Sequence, residues 1–293
     1  MDYIILDLEW DSAYSKKHSR FVNQIIQIGA VKLDSKFNFV DSFKQTIVSS
    51  LKNKVTKRFT ELTGITSEEM QEGISYKEAV ENYNAWCGKN IITLTWSNSD
   101  LFTIVNNDEL FLDKGKSLYL GKYADLQSFV QNELRLKGIE ITNQISLSKA
   151  AEILGISTEN LDLHTALDDS ILSSHILKQT YNKARFKGYI KDTKNPEFYR
   201  KLTFKNHYIT NITDKRITKK HLAFHCEKCN VLALPGKKWR YKNKWFTNDF
   251  CCPKCNSKFI GRVLFKVTYD GVKVSRRILY PVAKVEENAN IVQ

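Results

Sequence analysis

No stretch of this 293-residue chain approaches the roughly 20 consecutive apolar residues that crossing a bilayer requires. No basic segment has the clean apolar face of a helix that lies on an anionic membrane. No signal peptide is recognisable ahead of the first strand pattern, and there is no internal repeat or low-complexity tract. These absences argue against membrane, secreted and repeat proteins, and the expectation is a soluble, cytoplasmic chain with no membrane partner. Cysteine is almost missing from the first 225 residues, where Cys87 stands alone as a buried apolar side chain. A disulfide framework is therefore not the organising principle of the fold.

What is present is unevenly distributed. Hydrophobic residues make up 42% of the chain, enough for a sizeable core. Residues 1–180 hold 19 Lys and Arg against 24 Asp and Glu, whereas residues 181–293 hold 26 against 8. A mildly acidic first part thus carries a strongly basic second part, the electrostatic footprint of a nucleic-acid partner.

The first part reads as α/β. IILDLEW (4–10) contains a buried strand, followed by a polar, loop-like stretch over 11–20. QIIQIGAVKLD (24–34) and NFVDSFKQTIV (38–48) read as two more strands around a turn at 34–36, an antiparallel start to a sheet. Helices are predicted at 65–73 behind a Thr66 cap and at 75–88 between a Ser75 cap and Gly88, with Ala79, Tyr83 and Trp86 at helical spacing. IITLTW (91–96) is a further buried strand, and amphipathic helices are predicted over 122–136, 146–156 and 163–184. The polar, basic and aromatic residues 185–222 show no period and read as a linker. A cysteine module follows, then two strands around Asp270-Gly271 within 258–282, a strong hairpin signal, and a frayed tail.

IILDLEW also poses a chemical question. Alternation along a strand puts Asp7 and Glu9 on one side and Leu8 on the other. Either this is a polar strand end facing water, or two crowded anions are held together by a cation. Two later sites bear on it. TLTWSNSD (93–100) delivers Asp100 at the end of an apolar strand where a helix begins, a position that also suits an N-cap. LHTALDDS (163–170) sets His164 five residues before Asp169, near a helix start, with Asp168 beside it.

Strand-borne D-x-E, a later Asp after an apolar strand, then H-x-A-x-x-D resembles the DEDDh family of 3′–5′ exonucleases over roughly residues 1–182. QIIQIGAVKLD and LTGIT (62–66) resemble the family's second strand and its loop. The resemblance implies a ribonuclease H-like mixed sheet flanked by helices. It also implies a catalytic set of Asp7, Glu9, Asp100, His164 and Asp169, the four carboxylates holding two Mg²⁺ or Mn²⁺. Asp168 and Asp169 both remain candidates for the last ligand, with the five-residue offset favouring Asp169. Phosphodiester cleavage adds hydroxide to an anionic phosphate. Two hard cations on oxygen ligands suit that task, and an imidazole can take the water's proton.

In the basic part, CEKC (226–229) and CPKC (252–255) lie 22 residues apart. Four thiolates, Cys226, Cys229, Cys252 and Cys255, are enough for one closed, structural Zn²⁺ site, and this looks like a zinc ribbon with a β-hairpin. Cys251 fits neither knuckle, although it adjoins Cys252. The inserted loop LPGKKWRYKNKWF interleaves Lys237, Lys238, Arg240, Lys242 and Lys244 with Trp239, Tyr241, Trp245 and Phe246. Cations beside stacking rings suit a single strand of RNA or DNA, while some of these rings must pack the small ribbon's core.

The domain expectation is an exonuclease domain at 1–184, a basic linker at 185–222, a nucleic-acid-binding zinc ribbon and hairpin at 223–283, and a tail at 284–293. The functional expectation is a metal-dependent 3′–5′ exonuclease whose ribbon assists substrate binding. The alternatives are a non-catalytic nucleic-acid-binding or proofreading accessory protein, and a ribbon that docks a protein partner.

Overall fold

The computed structural model describes residues 1–280, divided into two compact units, Met1–Leu202 and a second that begins at Thr203. In the first unit the chain runs through β1 (Asp2–Ser15), β2 (Arg20–Leu33), β3 (Phe39–Thr46), α1 (Lys57–Thr63), α2 (Ser67–Gln71), α3 (Tyr76–Cys87), β4 (Ile91–Thr95) and α4 (Asn98–Phe111). It continues through β5 (Lys122–Asp125), α5 (Leu126–Leu136), α6 (Leu147–Leu154), α7 (Ala166–Thr180), α8 (Lys183–Phe186), β6 (Lys191–Asp192) and α9 (Pro196–Thr203).

The six strands form one mixed sheet in the order β3-β2-β1-β4-β5-β6. The hairpins β1–β2 and β2–β3 are antiparallel, β1–β4 and β4–β5 are parallel, and β6 returns antiparallel to β5. Alternation along β1 sends Ile4, Leu6 and Leu8 into a core shared with α3 and α4. Tyr3 and Ile5 point the other way, into a core built with α5, α6 and α7. The sheet is therefore the middle of three layers, as the ribonuclease H-like expectation requires. Caps behave as read: Thr66 and Glu69 form a capping box on α2, Ser75 caps α3, and the latter stops at Gly88.

Three segments differ from the sequence reading. Residues 11–15 are not loop but the second half of β1, beyond a bulge between Glu9 and Trp10. Their polar character conceals a two-stranded ribbon with Ala13 and Ser15 buried, while Asp11 is buried against Lys52 and Thr56. Lys122–Asp125 form β5 rather than the start of a helix, because Asp125 caps α5 by accepting the Ser128 N–H at 2.9 Å. Residues 185–222 are folded rather than a linker. Phe186 is buried at 5.0 Å from the Phe129 ring, β6 pairs with β5, and Phe198 and Leu202 pack on the α3–α4 core. Elements of two to eight residues are too short to show a period, so aromatic content was the one signal of burial there.

The second unit contains β7 (His207–Tyr208), α10 (Lys219–Leu222), β8 (Leu234–Pro235), β9 (Arg240–Lys242), β10 (Trp245–Cys251), β11 (Lys258–Thr268) and β12 (Gly271–Leu279). Its sheet runs β12-β11-β10-β8, with β7 added to β11 and β9 to β10. The β11–β12 hairpin turns at Asp270-Gly271, with Gly271 at φ 121°. Alternate residues Phe259, Val263, Phe265 and Val267 line the core with Phe224, Phe246 and Phe250. Residues 281–283 of the ribbon module and the tail at 284–293 lie outside the described residues. Among the described residues no helix is long and apolar enough to cross a membrane.

Candidate active site and metal centre

Asp7 and Glu9 leave β1 on the α7 side of the sheet, two residues apart, as the strand period dictates. Directly across from Asp7 on β2 is Gly29. A Cβ there would lie 2.2 Å from the carbonyl carbon of Ala166, so the bare glycine backbone lets the first turn of α7 settle on the sheet. Ser170 fastens that contact by donating its hydroxyl to the Gly29 carbonyl at 3.1 Å. The close approach brings Asp169 to β1. Ligand atoms of Asp7, Glu9 and Asp169 all lie within 4.8 Å of one another.

The helix cap separates the neighbouring aspartates. Thr165 starts α7 and donates its hydroxyl to the Asp168 carboxylate at 2.9 Å, while the Asp168 N–H returns to Thr165 Oγ1. Asp168 is occupied in closing its own helix, and Asp169, one helical step round, faces Asp7 and Glu9. His164 precedes this cap in the left-handed region at φ 76°, a strained setting for a residue with a side chain. Its backbone N–H helps hold the Asp169 carboxylate.

Asp100 arrives from β4. Ser97, at φ 110°, makes the abrupt exit from the strand and caps α4, so that Asp100 falls in the first helical turn, 3% exposed. It is not one of the three carboxylates whose ligand atoms share the 4.8 Å cluster, but it interacts electrostatically with all three. Burial, reinforced by Asp100, Glu9 and Asp169, lifts the Asp7 carboxyl well above its ordinary range. Burial and the same neighbours push Glu9 to about 8, and burial pushes Asp100 to about 7, against the opposing hydrogen bonds of its own and the Leu8 N–H. Asp169 is also raised by burial, with His164 pulling it back. A fifth carboxylate, the α5 cap Asp125, adds to the repulsion felt by Asp100.

Four acids that resist ionising together form a site that needs positive charge, and an all-oxygen donor set fits a hard divalent cation. Two recesses adjoin it. One, of about 600 Å³, is lined by Gln27, Thr63, Gly64, Ile65 and Thr165, and so includes part of the LTGIT loop. The other, of about 620 Å³, is lined by Trp10, Ser97, Asn98, Phe102 and Gln127. Gly29 was visible in QIIQIGAVKLD, and a lone glycine inside a strand signals close backbone approach. Nothing local, however, points from it to Ala166.

In the second unit the four knuckle cysteines converge. Sulfur–sulfur distances are 3.8 Å for Cys226–Cys229, 3.6 Å for Cys229–Cys252 and 3.7 Å for Cys226–Cys255. A tetrahedron of sulfurs about 2.3 Å from a zinc ion has edges of about 3.8 Å, so the donor set fits structural zinc. The knuckles repeat one geometry: Asn230 and Asn256 take left-handed φ of 51° and 55°, and their N–H groups return to the Cys226 and Cys252 carbonyls. Cys251, the last residue of β10, is not part of the sulfur cluster.

The basic loop divides between two surfaces. The Trp239 ring packs 5.9 Å from Phe250, and Tyr241 sits 4.9 Å from Phe246. Arg240 is paired with Asp249 at 3.0 Å. Lys237, Lys238, Lys242 and Lys244 are exposed, the last with its ammonium 4.7 Å from the Tyr208 ring centre. Trp245 is half-buried beneath two arginines, Arg262 and Arg277, at 5.0 and 5.3 Å.

The three-layer sheet has a ribonuclease H-like arrangement, with carboxylates of β1 and α7 clustered and that of α4 near them. The chain belongs to the exonuclease family, whose model RNase_T, described as Exonuclease, matches residues 5–177. It is 27% identical over 180 residues to the probable 3′–5′ exonuclease KapD of Bacillus subtilis (strain 168), covering 60% of this chain and 82% of that protein. Among solved structures it resembles cell-death related nuclease 4 (CRN-4) with a TM-score of 0.52 and 20% identity. That match covers 61% of this chain and 62% of the other, so the chain spans less than two thirds of that relative. It also resembles the nuclease domain of 3′hExo, a DEDDh family member bound to rAMP, with a TM-score of 0.50 and 18% identity over 61% of this chain and 90% of that one. Both structural likenesses concern the fold.

Proposed function

We propose that this chain hydrolyses single-stranded RNA or DNA from its 3′ end, with Asp7, Glu9, Asp100 and Asp169 as metal ligands and His164 as general base. The observation that carries the reading is the convergence of three half-buried carboxylates with ligand atoms within 4.8 Å of one another, beside the buried Asp100. Clustered buried anions are costly unless a cation compensates them. Two Mg²⁺ or Mn²⁺ ions would supply an activated water and stabilisation of the departing 3′ oxygen. The chain's own work is positional. Asp7 and Glu9 come from one strand face and stay in register without adjustment. The cap at Thr165 orients Asp169, and the strained backbone at His164 presents an imidazole next to that helix start. The two adjoining recesses receive the end of the strand, and walls of amides and hydroxyls suit sugar and base edges. The second unit, held by one Zn²⁺ on Cys226, Cys229, Cys252 and Cys255, retains the strand.

The test uses the full chain with 3′-labelled and 5′-labelled single strands, RNA and DNA in parallel, with Mg²⁺ or Mn²⁺. The expected result is a metal-dependent ladder shortening from the 3′ end, lost in Asp100→Ala. Tight binding without cleavage under either metal would replace this reading with that of a non-catalytic binding protein.

A further inference from the structure

The second unit has a sheet with one face in its core and one face open. Register identifies the open face residue by residue. Opposite one another on β11 and β12 are Arg262 and Arg277, then Leu264 and Ser275, then Lys266 and Lys273. Tyr208 of β7 continues the last row beside Lys266, and Thr247 and Arg240 continue the first through β10 and β9. Trp245 lies on the same face, against both arginines.

This face combines two physical oddities. Like charges directly opposite across a ladder repel, and here two such pairs, Arg262–Arg277 and Lys266–Lys273, follow each other on one surface. The face positions of β9 to β12 offer a single carboxylate, Asp249, and Arg240 already occupies it. In addition, Arg262 is half-buried, with its Nε enclosed and without a hydrogen-bond partner among the described residues. Two guanidinium groups are thus held on one indole, Arg277 exposed and Arg262 half-buried, and no ion pair to either is made among the described residues. Four residue steps along β11 separate Arg262 from Lys266, about 13 Å at the usual rise. Such a row matches an extended chain of negative charges better than any single anion.

We propose that this open face binds single-stranded nucleic acid, with Arg262, Arg277, Lys266 and Lys273 meeting phosphates and Trp245 and Tyr208 meeting bases. Most of these residues lie outside the basic loop, and one of the loop's own rings, Trp239, packs on the core beside Phe250. A single strand fits better than a duplex because ring faces reach bases only when those bases are unstacked from a helix. The inference deepens the strand-retaining role given above to the second unit, and it is tested by binding rather than by turnover.

The experiment measures affinity of the full zinc-loaded chain for a 30-nucleotide oligothymidylate with a phosphorothioate 3′ end, in magnesium-free buffer across a NaCl series. Each lost phosphate contact lowers the slope of log K against log[NaCl] by about 0.7 for single strands. The double variants R262Q/R277Q and K266Q/K273Q are each expected to lower it by about 1.4 and to weaken binding on the order of tenfold near 0.1 M salt. R262K/R277K should retain most of the slope. Zinc content and thermal midpoint identify a variant that has failed to fold. The lysine pair lies in a different row from the arginines that cover Trp245 and keeps the test open if the arginine variant is lost. Unchanged slopes in both folded glutamine variants would overturn the proposal. So would binding of anionic phospholipid vesicles, or of a 30-base-pair duplex, in preference to the single strand. Cleavage with Mg²⁺ is read separately: a parent chain that binds but never cuts rejects the hydrolase reading alone, and one that cuts while its binding ignores these substitutions rejects this inference alone.

Discussion

Gly29 and Ala166 are 137 positions apart in the chain, yet a single methyl group placed on the first would lie 2.2 Å from the backbone carbon of the second. No flexible side chain is available to give way, because every near neighbour of that methyl is backbone of the α7 first turn. The contact sets how deeply α7 sits on the sheet, and hence where Asp169 lies relative to Asp7.

Gly29→Ala should therefore cost about 1–3 kcal/mol of stability by overpacking. It should also reduce cleavage at least 100-fold, since about an ångström of misplacement at a reacting centre has effects of that order. Gly188→Ala, where an added methyl meets nothing within 4 Å, should stay within about 0.5 kcal/mol of the parent. Thermal unfolding and initial cleavage rates check both. A fully active Gly29→Ala would show that α7 tolerates displacement.

Removing one of the clustered anions should separate stability from activity. In metal-free buffer at pH 8, Asp7→Asn is expected to raise the melting temperature by a few degrees, because the repulsion from Asp100, Glu9 and Asp169 is relieved. The same variant should lose cleavage and lose the stabilisation that added Mg²⁺ gives the parent. Differential scanning calorimetry with and without Mg²⁺ reads both effects. A variant that melts below the parent without metal would contradict the electrostatic account.

Away from the site, Asp108 offers a pH signature. Burial pushes its carboxyl to about 6, against the opposing pull of the Tyr76 hydroxyl at 2.7 Å and the Leu118 N–H at 3.2 Å. The folded chain thus holds this proton more tightly than the unfolded chain. The stabilisation is complete below about pH 4 and is lost as pH rises through about 6, in total on the order of 3 kcal/mol. Asp108→Asn should flatten this part of the stability curve between pH 4 and 6, seen in denaturant midpoints taken across that range. An unaltered slope would remove Asp108 as its source.

Zinc should matter to the second unit alone. Cys226→Ser or Cys252→Ser is expected to abolish the bound zinc and unfold that unit, whose core cluster includes both cysteines. Cys251→Ser should keep one zinc per chain, because that side chain lies outside the sulfur cluster. Zinc released by a thiol-blocking reagent, together with the number of melting transitions, distinguishes the cases. Loss of zinc in Cys251→Ser would reassign the ligand.

Local chemistry was legible in the sequence wherever it depends on spacing along one element. Asp7 and Glu9 share a face because strands alternate, Thr66 and Ser75 cap because their side chains reach N–H groups three residues on, and CxxC pairs close a knuckle over one tight turn. What spacing alone did not reveal was everything set by register between distant segments. Asp169 rather than Asp168 joins the cluster because Thr165 claims Asp168 and because Gly29 admits α7. Asp11–Ser15 are strand because β2 pairs with them, and residues 185–222 are folded because each unit takes its share into a core. The basic loop divides between a core and an open face that only the pairing of β9 to β12 defines. Period and capping are short-range properties of the backbone, whereas register and close approach depend on side-chain volume at positions far apart in the chain, and these take definite values only when the layers pack.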